Sequence, residues 1–335
     1  MIAIHNSPFG FHPRWAAYCE KNNIPFKRVN CYVNDLITEI KGCDSLMWHH
    51  NQNNPKDLII AKPILYALEQ AGIRVFPDFR SNWHFDDKAG QKYLLEATEV
   101  PFVPSYLFFE KVEALKWVAS TSYPKVFKLR GGAGSDNVRL VSSHDQAKKL
   151  INIAFGKGFS NYDPWSSLKE RWRKFKVGKT NLMDVIKGIV RFGMYPEYAK
   201  IGGRQRGYIY FQDFIPDNQF DIRVVVIGDK AFALKRMVRK NDFRASGGGE
   251  IVYRKEEIDE RCVQIAFQAN EKIQSQSIAY DFVFNEKNEP LIVEISYGYA
   301  EAAYDYCEGY WTQNMQWHPG THFDFCGWMV EDLLK

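Results

Sequence analysis

Residues 277 to 296 read SIAYDFVF, NEKNEP, LIVEIS: two apolar runs rich in β-formers, joined by a short polar turn, with one acid inside each run. The pattern predicts a β-hairpin. With Lys287 and Asn288 as the two turn residues, the register that follows sets Asp281 directly opposite Glu294. Two carboxylates with Cβ atoms roughly 5 Å apart destabilise a hairpin unless one is protonated or a cation lies between them. A hard divalent ion such as Mg²⁺ accepts oxygen ligands of this kind and keeps waters and substrate phosphates in its remaining positions. A solvated surface pair is the plainer alternative.

A second stretch, VFKLRGGAGSDNVRLV from 126 to 141, has a lysine inside a short apolar run and then a glycine-rich turn. In extended structure Lys128 shares a face with Val126 and Arg130, while Phe127 and Leu129 point the other way. The loop Gly131, Gly132, Ala133, Gly134, Ser135 lets backbone N–H groups approach an anion closely, and a phosphate is the natural guest. A hairpin whose lysine snorkels to solvent is the competing reading.

The chain has 335 residues, 45% hydrophobic and 25% charged, which suits a soluble protein of two or three subdomains. Its net charge of +4 is too small to argue for a nucleic-acid partner. The six cysteines are dispersed without a C-x-x-C pair and read as reduced thiols. MIAIHNSPFG lacks the basic and apolar regions of a signal peptide, and no apolar run is long enough to span a bilayer, so a cytoplasmic protein is expected. No P-loop, Rossmann, G-x-S-x-G or H-E-x-x-H pattern occurs. His318 and His322 with Cys307 and Cys326 lack the paired spacing of a zinc site.

Alternating short apolar and helical stretches give an α/β (α+β) class. The expected division is a βαβ domain over 1–80, a lobe with the glycine-rich loop over 81–154, a basic helical insert over 155–207, and a C-terminal lobe with the carboxylate hairpin over 208–335.

Between loop and hairpin lies YIYFQDFIPDNQFDIRVVVIGDKAFALKRMVRKNDFRASGGGEI. Taken in order with the other motifs, it makes the chain resemble the ATP-grasp carboxylate-amine ligases. It is similar to glutathione synthetases, D-alanine:D-alanine ligases and especially ribosomal-protein glutamate ligases, over nearly the whole length. The resemblance implies an ATP-grasp fold with an N-terminal βαβ domain and two ATP-binding lobes. In DDKAGQKYLLEATEVPFVPS it assigns Lys92 to a nucleotide phosphate. It assigns Lys128 to the α/β-phosphates, Gly131 to Ser135 to the loop over them, and Gln212, Asp213, Phe214 and Ile215 to the segment holding adenine. Asp221 and Arg223 match a D-I-R signature. Arg236, with Arg244 of the D-F-R run that begins at Asp242, matches arginines that bind transferred phosphate and the acyl phosphate. Asp281 and Glu294 match metal carboxylates. Ser296 stands where many relatives have asparagine, which puts the second of two Mg²⁺ ions in question.

The implied activity joins an acid to an amine with ATP and Mg²⁺ as cofactors and ADP as product. Resemblance to members associated with surface polysaccharides implies an amino sugar or lipid-linked glycan as acceptor. A peptide or protein tail, or a non-catalytic ATP-binding module, are the alternatives. The aromatic tail YGYAEAAYDYCEGYWTQNMQWH is either core or the wall of an acceptor pocket. In the insert, Trp165, Leu168, Trp172 and Phe175 recur at helical spacing beside Lys169, Arg171, Arg173, Lys174 and Lys176. This predicts either a lid helix or peripheral contact with an anionic membrane at its inner face.

Overall fold

The computed structural model describes residues 1–132, 138–160, 162, 164–176, 178, 180–194, 196–238 and 250–335. The chain forms two compact units, one of Met1–Asn51, Ile59–Val103 and Ile215–Lys335, the other of Gln52–Leu58 and Pro104–Phe214.

The first unit opens with a parallel sheet of β1 (Ile2–His5), β2 (Phe26–Val29), β3 (Ser45–Met47) and β4 (Arg74–Phe76), in the order β2-β1-β3-β4. Strand β1 is buried along its whole length, as a parallel strand with two neighbours and covered faces must be. Histidines gather where β1 and β3 end. The N–H of Cys31 donates to His5 Nδ1 (3.2 Å), that of His49 to His12 Nε2 (3.0 Å), and that of Phe11 to His49 Nδ1 (3.1 Å). His12 Nδ1 donates to the Phe9 carbonyl at 2.7 Å, and His50 Nε2 lies 2.7 Å from Asn82 Oδ1. A ring nitrogen that accepts from the backbone must be unprotonated. Burial holds His5 and His12 down at about 4 and His50 at about 3, and lowers His49 as well.

The second unit is built on β5 (Ser105–Phe108), β6 (Lys125–Lys128), β7 (Arg139–Val141), the short pair β8 (Phe159–Ser160) and β9 (Arg204–Gln205), and β10 (Ile209–Asp213). An antiparallel sheet runs β5-β10-β6-β7. Phe127 and Leu129 enter the core with Phe211, Leu150 and Ile151, as the alternation predicts. The pair β8 and β9 joins the ends of the basic segment, which folds into helices Pro164–Lys176, Leu182–Val190 and Glu197–Ile201.

The first unit resumes with β11 (Phe220–Ile227), β12 (Lys230–Met237), β13 (Ile251–Val252), β14 (Ser277–Phe284), β15 (Pro290–Ser296), β16 (Gly309–Thr312) and β17 (Trp317–Pro319). They form an antiparallel sheet in the order β15-β14-β11-β12-β16-β17, with β13 beside β12. Helix Glu260–Ile273 buries Val263, Ala266 and Phe267 against Val224, Val226, Tyr280 and Phe282 on one face. The opposite face is apolar at Val225, Ile227, Phe232, Leu234 and Ala279. Further along the same strands it becomes charged.

Asp281 does pair with Glu294, but not through the two-residue turn. The loop holds Glu286, Lys287 and Asn288, closed by Asn288 N–H to the Asn285 carbonyl (2.8 Å), with Asn288 in the left-handed region at φ 58. The residue this loop takes from one arm is absorbed by a bulge between Asp281 and Phe282 and their partners, which leaves Val293 extra on β15. The aromatic tail is largely core: Tyr297, Tyr299, Tyr304 and Trp311 are all buried.

Candidate active site

Four side chains on the charged face of the first unit form one ion-paired cluster. Strand pairing sets Arg223 opposite Asp281 and Asp221 opposite Arg236. Arg223 grips Asp281 with two bonds, Nε to Oδ1 at 2.5 Å and Nη2 to Oδ2 at 2.6 Å. Arg236 reaches the same carboxylate through Nη2 at 2.9 Å and also holds both oxygens of Asp221, with Nε to Oδ1 at 2.8 Å. Bidentate guanidinium–carboxylate pairing is the strong form of this interaction. Burial by itself would raise the Asp281 carboxyl, but Arg223 and Arg236 outweigh it and hold the group well below the usual carboxylate range. Asp221 is pushed up, because its burial exceeds what Arg236 returns.

Glu294 takes its cation from elsewhere. Lys88 Nζ lies 3.1 Å from Glu294 Oε1, and the lysine is almost wholly buried. Burial tends to lower this ammonium, yet Glu294 and Asp86 bring it above its ordinary value. The two opposed carboxylates therefore each have a cationic partner, which answers the repulsion expected from their register.

Sequence reasoning favoured Lys92 on this helix, Lys88–Ala97, and passed over Lys88. Here Lys92 is bound to Glu96, one turn on, at 2.6 and 2.7 Å. A signal for Lys88 was present: it is the first residue of a helix capped by Asp87, where a cation opposes the helix dipole unless an anion is near. Lys88→Met is expected to lower turnover about 100-fold, the scale of losing one electrostatic contact in a water-poor site. Lys92→Met should change it by less than about threefold on the same scale. Steady-state phosphate release compares the two, and equal losses would give both lysines a part in the site.

In the second unit Lys128 is buried rather than snorkelling. Its Nζ donates to Gln212 Oε1 at 2.6 Å, and Gln212 Nε2 donates to Ser105 Oγ at 3.0 Å. Lys125 Nζ binds Asp213 Oδ1 at 2.6 Å. Ser105 and Lys125 were not foreseen, since neither lies in a recognisable motif. Gly131 and Gly132 follow β6, with Gly132 at φ 111. The chain passes from the second unit to the first between Phe214 and Ile215. Ala133, Gly134, Ser135, Asp242 and Arg244 lie outside the described residues.

Among the described residues no three His, Cys, Asp or Glu side chains come together as a metal cluster. Asp281 and Glu294 are hard oxygen donors at paired positions of β14 and β15, each already facing a cationic side chain. The Ser296 hydroxyl donates to the Gly298 carbonyl (2.8 Å) and accepts from the Gly298 N–H (3.2 Å), closing a local turn. This set fits a hard divalent ion that draws most of its shell from phosphate and water, and not an all-protein cage.

Residues 200–302 match the family model described as the RimK-like ATP-grasp domain, and that span holds Gln212, Asp221, Arg223, Arg236, Asp281, Glu294 and Ser296. The chain carries an ATP-grasp domain. Similarity reaches the α-aminoadipate–LysW ligase LysX of Saccharolobus solfataricus, 21% identical over 294 residues, which is 84% of this chain and 88% of the relative. Among solved structures, a RimK domain ATP-grasp protein from Sphaerobacter thermophilus superposes at TM-score 0.57 and 12% identity over 100% of both chains. The biotin carboxylase domain of Hydrogenobacter thermophilus 2-oxoglutarate carboxylase, solved with MgADP, superposes at 0.61 and 13% identity over 99% of this chain and 69% of that one. These neighbours establish the ATP-grasp fold. In this ATP-grasp fold the ion-paired cluster and the Lys88–Glu294 pair lie within the first unit, and the Lys128–Gln212–Ser105 chain within the second.

Proposed function

We propose that this protein is an ATP-grasp ligase that activates a carboxylate as its acyl phosphate and passes the acyl group to an amine. ATP and Mg²⁺ are its cofactors. A carboxylate oxygen attacks the γ-phosphorus, the bond to the β–γ bridging oxygen breaks, and ADP leaves. The amine nitrogen then attacks the acyl carbon, phosphate departs, and the nitrogen loses a proton to leave an amide. No protein nucleophile is needed, so catalysis is positioning and electrostatics.

Support comes chiefly from one observation: a buried, ionised Asp281 held by Arg223 and Arg236 directly across from Glu294. Asp281 and Glu294 would hold Mg²⁺, which supplies positive charge against the phosphate oxygens. Lys128, oriented by Gln212, meets nucleotide phosphate. Arg236 and Arg244 hold the acyl phosphate, and Gly131 to Ser135 shield it from water.

For the substrates we favour an amino acid or similar acid joined to an amino sugar in surface-polysaccharide assembly, a reading supported by resemblance. A protein-tail or peptide acceptor is favoured instead by the likeness to LysX, whose name carries LysW. Incubation with ATP, Mg²⁺, amino acids and either amino-sugar nucleotides or peptides, followed by mass spectrometry, separates them. Stoichiometric ADP, phosphate and one amide product are expected. AMP with pyrophosphate would overturn the acyl-phosphate route, and nucleotide binding without turnover on any acceptor would leave a non-catalytic module.

A further inference from the structure

The basic segment carries an apolar surface that nothing in the ligase chemistry uses. Sequence spacing placed the stripe on helix Pro164–Lys176, yet Leu168 of that helix lies against Gly188, and Arg171 is spent on the Asp184 side chain and carbonyl of helix Leu182–Val190. The two helices pack through this seam, which buries Val185 and Gly188. What remains outside is the far side of the second helix. Leu182, Met183, Ile186, Ile189 and Val190 are all exposed, and Met194 just beyond them is 68% exposed. Trp165 from the first helix extends the patch, its ring 4.9 Å from that of Phe192. A run of large apolar side chains this exposed is unusual on a monomer and marks an interaction surface.

Charge selects the partner. Residues 155–207 contain twelve Lys and Arg against four Asp and Glu, so this segment is formally +8 whereas the whole chain is only +4. Of the acids, Asp184 is already paired with Arg171. Lys169, Arg173 and Lys176 on the first helix, Lys187 on the second and Lys200 beyond them are exposed, and Lys169 and Arg173 follow Trp165 at helical spacing. A second protein could match the apolar part, but an apolar patch carried on the same helices as exposed cations is the complement of an anionic lipid surface, which offers acyl chains beneath a negative headgroup layer. Among the described residues no helix is long and apolar enough to cross a membrane, and a helix of nine residues can only lie along one.

We propose that helix Leu182–Val190, with Trp165 and the exposed cations of these helices, docks this protein onto anionic bilayers. The ligase would thereby work at a membrane surface whatever its acceptor.

The test is flotation of the full chain with vesicles of phosphatidylcholine alone or with 30 mol% phosphatidylglycerol. Binding at least tenfold stronger to the anionic vesicles is expected, falling with added salt. Ile186→Glu with Ile189→Glu should remove it, and Lys169→Gln with Arg173→Gln, Lys176→Gln and Lys187→Gln should weaken it about tenfold. All these positions are exposed, and ATP turnover in solution should stay unchanged. Equal partition onto neutral vesicles, or binding untouched by either variant, overturns the proposal. So does concentration-dependent self-association abolished by the Ile186→Glu pair, which would assign the face to a second copy of the chain.

Discussion

Asp281→Asn is expected to abolish measurable ADP release and, separately, to weaken the fold. The carboxylate is the shared anion of two buried guanidiniums, so its neutralisation strips Arg223 of its bidentate partner and leaves Arg236 on Asp221. Removing one partner from a buried ion pair costs on the order of 3–5 kcal/mol, because the remaining charge stays desolvated. An amide still accepts hydrogen bonds, which places the change toward the lower end. Turnover should fall by at least about 100-fold through loss of charge stabilisation. Glu294→Gln should lose turnover to a similar extent but less stability, since that side chain is partly exposed. Urea midpoints and phosphate release on the same preparations decide it. An Asp281→Asn protein as stable as wild type would mean that the guanidiniums are compensated elsewhere.

A larger effect is expected from acid on the N-terminal sheet. His5 and His12, at about 4, and His50, at about 3, sit far below the ordinary histidine value of about 6.5 because they are buried. The unfolded chain takes up protons as pH falls through about 6.5, whereas the folded rings refuse them until about 4. Their contribution is therefore complete above about 6.5 and drains away between that pH and 4, by up to about 1.4 kcal/mol per ring per unit. Summed over these rings, the loss by pH 5 is several kcal/mol, on the order of half of a typical domain's stability. Urea titrations at pH 7.5, 6 and 5 should show the midpoint dropping steeply. Replacing His12 with Gln should reduce the slope by about one proton. A midpoint that is flat down to pH 5 would show that these rings titrate in the fold. Asp281 cannot mimic this, because its lowered carboxyl gives stability that is lost only in stronger acid.

The parts of the site that sequence made legible were those set by strict alternation. Through β6 and the residue after it the period of two put Phe127 and Leu129 into the core and Lys128 on the other face, and packing enforced it. The hairpin gave the right carboxylate pair from the wrong turn, because a three-residue loop and a bulge offset one another. What stayed hidden was decided between distant segments. Lys88 and Lys92 are one helical turn apart, so spacing gave no reason to prefer either, and only the position of β15 brings Lys88 to Glu294. The arginine grip on Asp281 required strand order, which no local pattern supplies. His5, His12 and His49 stayed hidden because each ring meets the backbone of a segment distant in sequence, and His50 because it meets the side chain of Asn82. The tail aromatics are core because that part of the chain packs among β11, β12 and β14.

The cluster around Asp281 contains two anions and two cations and is neutral as a unit. Many metal sites are repulsive when empty, which ties the folding of their proteins to ion supply. Here the sheet carries its own counter-ions, so the polypeptide can mature on the ribosome's schedule. If Asp281 and Glu294 hold magnesium as proposed, scarcity of the ion in the cell leaves a store of intact but idle protein, ready to resume work when the ion returns.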